Sequence, residues 1–335
     1  ILFLETVQGL NGETHILLPF GEQDFIKTSI SFAGKEWIKR FEKVIRNATT
    51  VNYATKEGYL GDNTLFAYTN DLIQGKALLK AEQLDSDAIF IAVADRSQQI
   101  DIGGTLHSLS EWEKLGHESV IIDLAMLREN NPEGKIKKSN IADETIKQSS
   151  EQTLSRQIRT MLFADCVGFS RLGEESAPSF FVNFLGQIAK VIENIKNPPL
   201  FSNTWGDGLF MVFDDVNHAA EFALSLKEMV LGTDWTELGL PEETNIRIGM
   251  HTGPVYTSRD PIIHRENFFG THVNLAARIE PITTPGSVFL TEQSACMLAA
   301  RGSKQYACDY LGLTDLAKQY GSDSLYRLRR SEAID

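Results

Sequence analysis

Two aspartates stand where a predicted strand gives way to a turn. Asp165 follows the apolar run of MLFADCVGFS, and Asp207 lies in the Asp-Gly turn of NTWGDGLFMVF. An apolar run that ends in such a turn predicts a buried strand that delivers its carboxylate to the edge of a sheet. Two carboxylates held side by side repel each other unless a divalent cation lies between them, and an all-oxygen ligand set favours Mg²⁺ or Mn²⁺. The alternative is two independent aspartates that form turns.

An amide and a guanidinium follow further along the chain. Asn274 and Arg278 are four residues apart in VNLAARIE, which predicts that they share one face of a helix. The small Ala276 and Ala277 between them would leave room for a ligand against that face. Such a pair could hold a ribose oxygen and a phosphate. The alternative is a surface arginine beside an asparagine that caps the helix.

Composition excludes several classes of function. The 335-residue chain is 42% hydrophobic and 23% charged, which is typical of a globular protein long enough for two domains. Its net charge of −13 argues against a nucleic-acid or anionic-membrane binder. Three scattered cysteines, and no apolar run of membrane-spanning length, predict a cytoplasmic protein without disulfides or membrane insertion.

The first part of the chain alternates strand and helix patterns. This order predicts a parallel sheet covered on both faces, so residues 1–127 are expected to form a Rossmann-like α/β domain. The chain starts abruptly in a helical pattern, and we therefore expect an earlier strand to be missing. The Gly103-Gly104-Thr105 segment could hold a phosphate at a helix start, although a simple tight turn is the favoured alternative. Residues 128–157 are polar and charged and predict a linker.

Hairpins replace strict alternation in residues 158–330. We predict a strand from Ile158 to Phe163, one helix from Ser176 to Asn194, and a hairpin turning at Gly206-Asp207. A strand from Asn245 to Val255 and the helix after Gly270 follow. The pattern indicates an α+β domain of the ferredoxin-like kind.

Four segments of this second domain also resemble a known family. FADCVGFSRL, NTWGDGLFMVF, RIGMHTGPV and GTHVNLAARIE occur in the same order as in the catalytic domains of class III adenylate and guanylate cyclases, over about residues 157–330. The N-terminal half loosely resembles the α/β sensor-like domains that precede cyclase domains in some bacterial signalling proteins. The resemblance implies conversion of a nucleoside triphosphate to a 3′,5′-cyclic nucleotide and pyrophosphate.

The same resemblance implies roles for individual residues. Asp165 and Asp207 would bind two Mg²⁺ or Mn²⁺ ions, with the backbone carbonyl of Cys166 completing a metal site. Asn274 would orient the ribose, and Arg278 would stabilise charge on the α-phosphate. The family works as a head-to-tail dimer in which one subunit supplies the aspartates and the other supplies the Asn/Arg pair. Because this chain has one copy with both halves intact, the resemblance implies a homodimer with two equivalent sites.

The substrate contacts implied by the resemblance leave the base open. Asn203 stands where the family has an adenine-reading Lys, and Asn267 stands where it has an adenine-reading Asp. Neutral amides both donate and accept, so neither dictates one base. ATP is favoured by family frequency, and GTP or a pyrimidine triphosphate are alternatives. Phe169 and Lys318 are further expected substrate contacts. A catalytically silent nucleotide-binding module and a structural scaffold are the competing functions.

Overall fold

The computed structural model describes residues 1–61, 63–95, 104–129, 156–169 and 172–332. The chain divides into two compact units, Ile1–Glu151 and Gln152–Asp335. Most of the segment predicted as a linker, 128–157, lies outside the described residues. Within the described ranges, no helix combines the length and apolar character needed to cross a lipid bilayer.

The first unit contains two parallel strand pairs. β1 pairs with β2 and β3 pairs with β4, in the direction that strand–helix–strand order predicts. Among the described residues the two pairs are separate ladders, so the continuous sheet expected of a Rossmann-like domain is not observed there. The elements are α1 (Leu2–Gly9), β1 (His15–Leu18), α2 (Glu22–Ser29), α3 (Lys35–Arg46), β2 (Thr50–Tyr53), α4 (Thr64–Gln83), β3 (Phe90–Ala94), α5 (Thr105–Lys114), β4 (Ser119–Asp123) and α6 (Leu124–Glu129).

The apolar faces of α3 and β1 form the core of this unit. Phe41 and Val44 of α3 are buried against Ile16 and Leu18 of β1. The helix α2 was not predicted, because its eight residues offer only two large apolar side chains. Gly103 lies outside the described residues, and Gly104 is extended just before α5, without a side-chain cap. The phosphate-binding prediction for this loop therefore stays a prediction.

The second unit is built on one eight-stranded sheet. Its strand order is β11-β12-β10-β8-β5-β7-β6, with β9 paired to β8. The antiparallel part β8-β5-β7-β6, formed from consecutive β-α-β-β-α-β elements, is the expected ferredoxin-like arrangement. The elements are β5 (Arg156–Val167), α7 (Ala177–Ser179), α8 (Leu185–Asn194), β6 (Phe201–Trp205), β7 (Gly208–Phe213), α9 (Val216–Gly232), β8 (Asn245–Arg259), β9 (Glu266–Phe269), α10 (Thr271–Ala276), β10 (Ser287–Thr291), α11 (Glu292–Ala300), β11 (Tyr306–Asp315) and β12 (Ser322–Arg330).

The helical segment after β5 differs from its prediction as one helix. A π-helical turn, Phe180–Phe184, separates α7 from α8, and Ser176 makes no capping bond. Phe180 and Phe184 stack inward at 4.9 Å between ring centroids. A π-turn inserts one extra residue per turn, so the helical period that the sequence predicts does not continue through it.

A buried histidine pair joins β8 to α10. His251 is fully buried, and its Nε2 lies 2.8 Å from Nδ1 of His272. Its Nδ1 lies 2.8 Å from the hydroxyl of Thr291, at the start of α11. Burial, and to a smaller extent the charge of His272, holds the pKa of His251 well below its ordinary value. The imidazole therefore stays neutral while the domain is folded.

This burial makes stability depend on pH. Because the folded pKa of His251 is depressed, the unfolded chain binds a proton that the folded chain does not, and stability falls as pH drops below about 6.5. The expected loss approaches about 1.4 kcal/mol per pH unit. We expect His251→Gln to reduce the difference between the unfolding temperatures at pH 7.5 and pH 5.5, measured by calorimetry. The exposed-residue control His264→Asn should keep the wild-type difference. An unchanged difference in His251→Gln would contradict the argument.

Candidate active site

The two predicted aspartates meet at one edge of the sheet. Asp165 lies near the end of β5, opposite Gly208 of β7, and Asp207 is in the two-residue turn that precedes Gly208. Gly206 has a φ of +64°, the left-handed conformation that this tight turn requires. The apolar residues before Asp165 are buried, so strand pairing holds the carboxylate where the sheet opens.

The two carboxyl groups perturb each other. Burial, a hydrogen bond with Asp165 and the charge of Asp165 raise the pKa of Asp207 to about 6. Two carboxyl groups that lie side by side cannot both ionise freely without a positive charge between them. The carboxyl oxygens of the two aspartates are therefore suited to bind a hard divalent cation. Within the described ranges, no group of three or more His, Cys, Asp or Glu side chains forms such a site.

Arg247 is the cation adjacent to this pair, and the sequence analysis missed it. Its Nη2 donates to Oδ2 of Asp165 at 2.6 Å, because β8 pairs with β5 so that the two residues face each other. Its Nε lies 3.0 Å from Oε1 of Glu280, an ion pair without the alignment of a hydrogen bond. The segment RIGMHTGPV contained this arginine, but only the strand register shows its partner.

Glu280 is a third carboxyl group near the pair. Burial raises the pKa of Glu280 to about 7, with Arg247 opposing the shift and the charges of Asp165 and Asp207 adding to it. Glu280 lies two residues after Arg278, in a 3₁₀ turn over β8. A Cβ on Gly249 of β8 would come within 2.5 Å of the backbone nitrogen of Glu280, so only glycine allows this close approach.

Cys166 is buried beside the two aspartates. Burial raises the pKa of its thiol to about 12, and the charges of Asp207 and Asp165 act in the same direction. The thiol therefore remains protonated at neutral pH and is a poor metal ligand. Of the groups on this residue, only the predicted backbone carbonyl suits a hard cation.

The prediction that Asn274 and Arg278 share one face of a helix is wrong, because only Asn274 lies on the helix. α10 ends at Ala276, and Arg278 lies in the following turn, with its backbone N–H donating to Leu275. Ala276 is fully buried in the core and leaves no room for a ligand. Gly249 has no side chain, so the turn that follows α10 can lie directly against β8.

The side chains of this pair differ in their exposure. Asn274 is exposed, and Nε of Arg278 is buried without a hydrogen-bond partner among the described residues. The guanidinium lies 5.9 Å from the ring centroid of Tyr320. No hydrogen bond or ion pair within the described residues joins Asn274 or Arg278 to the two aspartates.

The two other predicted substrate contacts lie in separate places. Phe169 packs on Phe180 at 4.4 Å between ring centroids and lines a cavity of about 160 Å³ next to Cys166. Lys318 is exposed, in a left-handed turn whose Ala317 N–H donates to the carbonyl of Arg278 at 3.3 Å. The backbone thus places Lys318 near Arg278 and Phe169 near the aspartates.

The predicted base contacts Asn203 and Asn267 fall in one polar cluster. Oδ1 of Asn203 accepts a hydrogen bond from Arg265 at 2.6 Å. Nδ2 of Asn267 donates to Asp260 at 3.0 Å. Asp260 and Arg265 bracket the loop between β8 and β9.

Comparison with known proteins identifies the second unit. Residues 153–325 match the sequence model of the adenylate and guanylate cyclase catalytic domain. The chain belongs to this family. The cyclase match covers the candidate metal pair, Arg247 and the Asn/Arg pair alike.

The individual relatives have sequences that are about 30% identical to this cyclase domain or less. A putative adenylate cyclase 3 of Rhizobium meliloti is 30% identical over 148 residues, 43% of this chain and 24% of the relative. A pH-sensitive adenylate cyclase of Mycobacterium tuberculosis is 28% identical over 178 residues, 52% of this chain and 41% of the relative. The chain thus spans less than half the length of these relatives. The crystal structure of the adenylyl cyclase CyaB from P. aeruginosa aligns with a TM-score of 0.47 and 19% identity, over 53% of this chain and 97% of that one.

A metal-binding measurement tests the carboxylate pair directly. We expect Asp207→Asn to weaken Mn²⁺ binding at least about tenfold, because one of the two charged ligands is lost. Wild-type affinity should also fall as pH drops below about 6, since a proton then competes for Asp207. Electron paramagnetic resonance of free Mn²⁺ measures both effects.

The matched control for this measurement is Asp214→Asn. Asp214 is an exposed carboxylate just after β7, so its removal changes the net charge equally without altering the pair. We expect wild-type Mn²⁺ affinity from it. Equal affinity in Asp207→Asn and wild type would show that the pair is not a metal site.

Proposed function

We propose that the second unit is a nucleotidyl cyclase that converts a nucleoside triphosphate to a 3′,5′-cyclic nucleotide and pyrophosphate. The observation that carries the proposal is the half-buried Asp165–Asp207 pair. The repulsion between its two carboxyl groups favours binding of a divalent cation, and that cation would in turn attract phosphates. Membership of the cyclase family supports the reaction class. The expected alternative is a silent nucleotide-binding module.

The metal ligands of the proposal are oxygen atoms only. Asp165, Asp207 and the carbonyl of Cys166 would hold Mg²⁺ or Mn²⁺, in agreement with the donor set described above. Such ions, when bound, lower the pKa of a hydroxyl and neutralise phosphate charge. Arg247 orients the carboxylate of Asp165 through its 2.6 Å hydrogen bond.

The remaining residues act on the substrate. In the proposed reaction the ribose 3′-oxygen bonds to the α-phosphorus, the bond to pyrophosphate breaks, and the hydroxyl proton passes to solvent. Arg278 would donate from its guanidinium to the α-phosphate, where charge builds up. Asn274 would orient the ribose. Lys318, held near Arg278 by the turn, would contact the triphosphate.

A homodimer would complete the site. Neither Asn274 nor Arg278 contacts the aspartates in one subunit, which supports a head-to-tail pair with shared sites. We further propose that residues 1–127 form a Rossmann-like regulatory domain, supported by its two parallel strand pairs. Cys166, Cys296 and Cys308 form no disulfide within the part of the chain that the structure describes, which supports the cytoplasmic setting expected above.

The direct test is turnover. Purified protein with Mn²⁺ should convert at least one of ATP, GTP, CTP and UTP to a cyclic monophosphate and pyrophosphate, detected by chromatography and mass spectrometry. We expect Arg278→Ala to lower the rate about 10²–10³-fold, as removal of a transition-state charge contact does. Absence of a cyclic product with all four substrates would favour the silent module.

Mixing inactive variants tests the shared sites. Asp207→Asn mixed with Arg278→Ala should regain about a quarter of wild-type activity, because half the dimers are mixed and each has one intact site. Asp207→Asn mixed with Asp165→Asn is the matched control and should regain none, since both changes lie in the same half-site. No recovery in the first mixture would mean that each subunit builds its own site.

A further inference from the structure

The polar cluster of Asn203, Asn267, Arg265 and Asp260 has a definite hydrogen-bond polarity. Asn203 lies on β6, Asn267 lies on β9, and Arg265 and Asp260 belong to the loop that leads into β9. The loop is closed by the backbone N–H of Asp260, which donates to the carbonyl of Arg265 at 2.8 Å. The two asparagines therefore share one environment, and their neighbours determine what each can offer a ligand.

The amide orientations follow from the chemistry of those neighbours. A guanidinium only donates, so the group of Asn203 that faces Arg265 must be its oxygen. A carboxylate only accepts, so the group of Asn267 that faces Asp260 must be its nitrogen. The oxygen of Asn267 also accepts from the backbone of Phe268 at 2.9 Å. The protein thus satisfies both ends of Asn267 and the oxygen of Asn203.

The groups left for a ligand are donors. Within the described residues, Nδ2 of Asn203 makes no hydrogen bond, and neither do Nε and Nη1 of Arg265. Asp260 is the carboxylate of the cluster, and hydrogen bonds from Ile262, Ile263 and Asn267 occupy most of its acceptor positions. The unsatisfied capacity of the cluster is therefore mainly N–H groups, while the charge of Arg265 is balanced by that of Asp260.

The guanidinium of Arg265 is also placed to hydrogen-bond with the edge of a planar base. It lies over the ring of Phe201, 5.4 Å from the centroid, while the residue stays exposed. An arginine stacked on an aromatic face keeps its donor fork in a fixed plane. Such a fork binds two acceptors, or one acceptor strongly, on the edge of a base.

We propose that Arg265, together with Nδ2 of Asn203, reads the base and selects one with a carbonyl oxygen where adenine and cytosine carry an amino group. The substrate class is therefore GTP or UTP, in contrast to the ATP favoured by family frequency. Guanine presents O6 and N7 as acceptors, and uracil presents O4. With adenine or cytosine, an amino group would face the N–H groups of Arg265 and Asn203, and two donors form no hydrogen bond with each other. The assignment rests on the proposed cyclase function and on Asn203 as a base contact.

The first experiment measures kcat/KM for the four triphosphates with Mn²⁺. We expect GTP or UTP to exceed both ATP and CTP by about tenfold or more, within the range of one specific base contact. Arg265→Ala should lower the ratio of the preferred carbonyl base to ATP by a similar factor. Arg301→Ala removes another arginine of the same domain, one that pairs with Asp215, and should leave the ratio unchanged.

The conservative variant distinguishes the two bases. Arg265→Lys keeps the charge and a donor but loses the fork, so it should restore use of UTP, which needs one contact, more fully than use of GTP, which uses two.

Each outcome decides the assignment. A wild-type preference for ATP or CTP, or an Arg265→Ala variant that loses activity equally with all four substrates, would overturn the base assignment and leave the cyclase intact. If no substrate is cyclised, the proposed function fails, and dissociation constants of the four triphosphates with Mn²⁺ then test the base assignment alone. Equal or tighter binding of ATP and CTP would overturn it.

Discussion

The site depends on the enforced proximity of two like charges. Pairing of β5 with β7 places Asp165 opposite Gly208, and the two-residue turn before Gly208 places Asp207 beside it. The paired strands fix the backbone of both residues, so the two carboxylates are held on adjacent positions at this edge of the sheet. The free energy of that repulsion is available to any cation that binds there, and Arg247 offsets part of it in the meantime.

A similar principle governs the polar cluster near β9. Asparagine is ambivalent as an isolated side chain, and the sequence alone therefore leaves the base open. A neighbour that can only donate, or only accept, removes that ambivalence. Arg265 and Asp260 act in this way on Asn203 and Asn267, and they convert two neutral amides into a site with a net donor character.

Local patterns in the sequence predicted the features that depend on local chemistry. The hairpin at Gly206-Asp207, the meeting of the two aspartates and the ferredoxin-like order of elements all follow from strand periodicity and turn signals. Arg247 and Glu280 were missed because their roles depend on the register between β5 and β8, which lie far apart in the chain. Arg278 was wrongly placed on α10 because the end of that helix at Ala276 has no local sequence signal, and the close approach of the next turn to Gly249 is visible only in the folded chain.

One face of β8 holds the segment from His272 to Glu280 in place. Arg247, Gly249, His251 and Gly253 alternate along the strand and meet Glu280 or His272, while Ile246, Ile248 and Met250 point into the core. Side chains of a strand alternate with period two, so a single inserted or deleted residue in β8 would exchange the two faces. Asp165 would then lose its hydrogen bond from Arg247, and the segment that carries Asn274 and Arg278 would lose its packing against Gly249. The length of this strand is therefore far less free to vary than its composition.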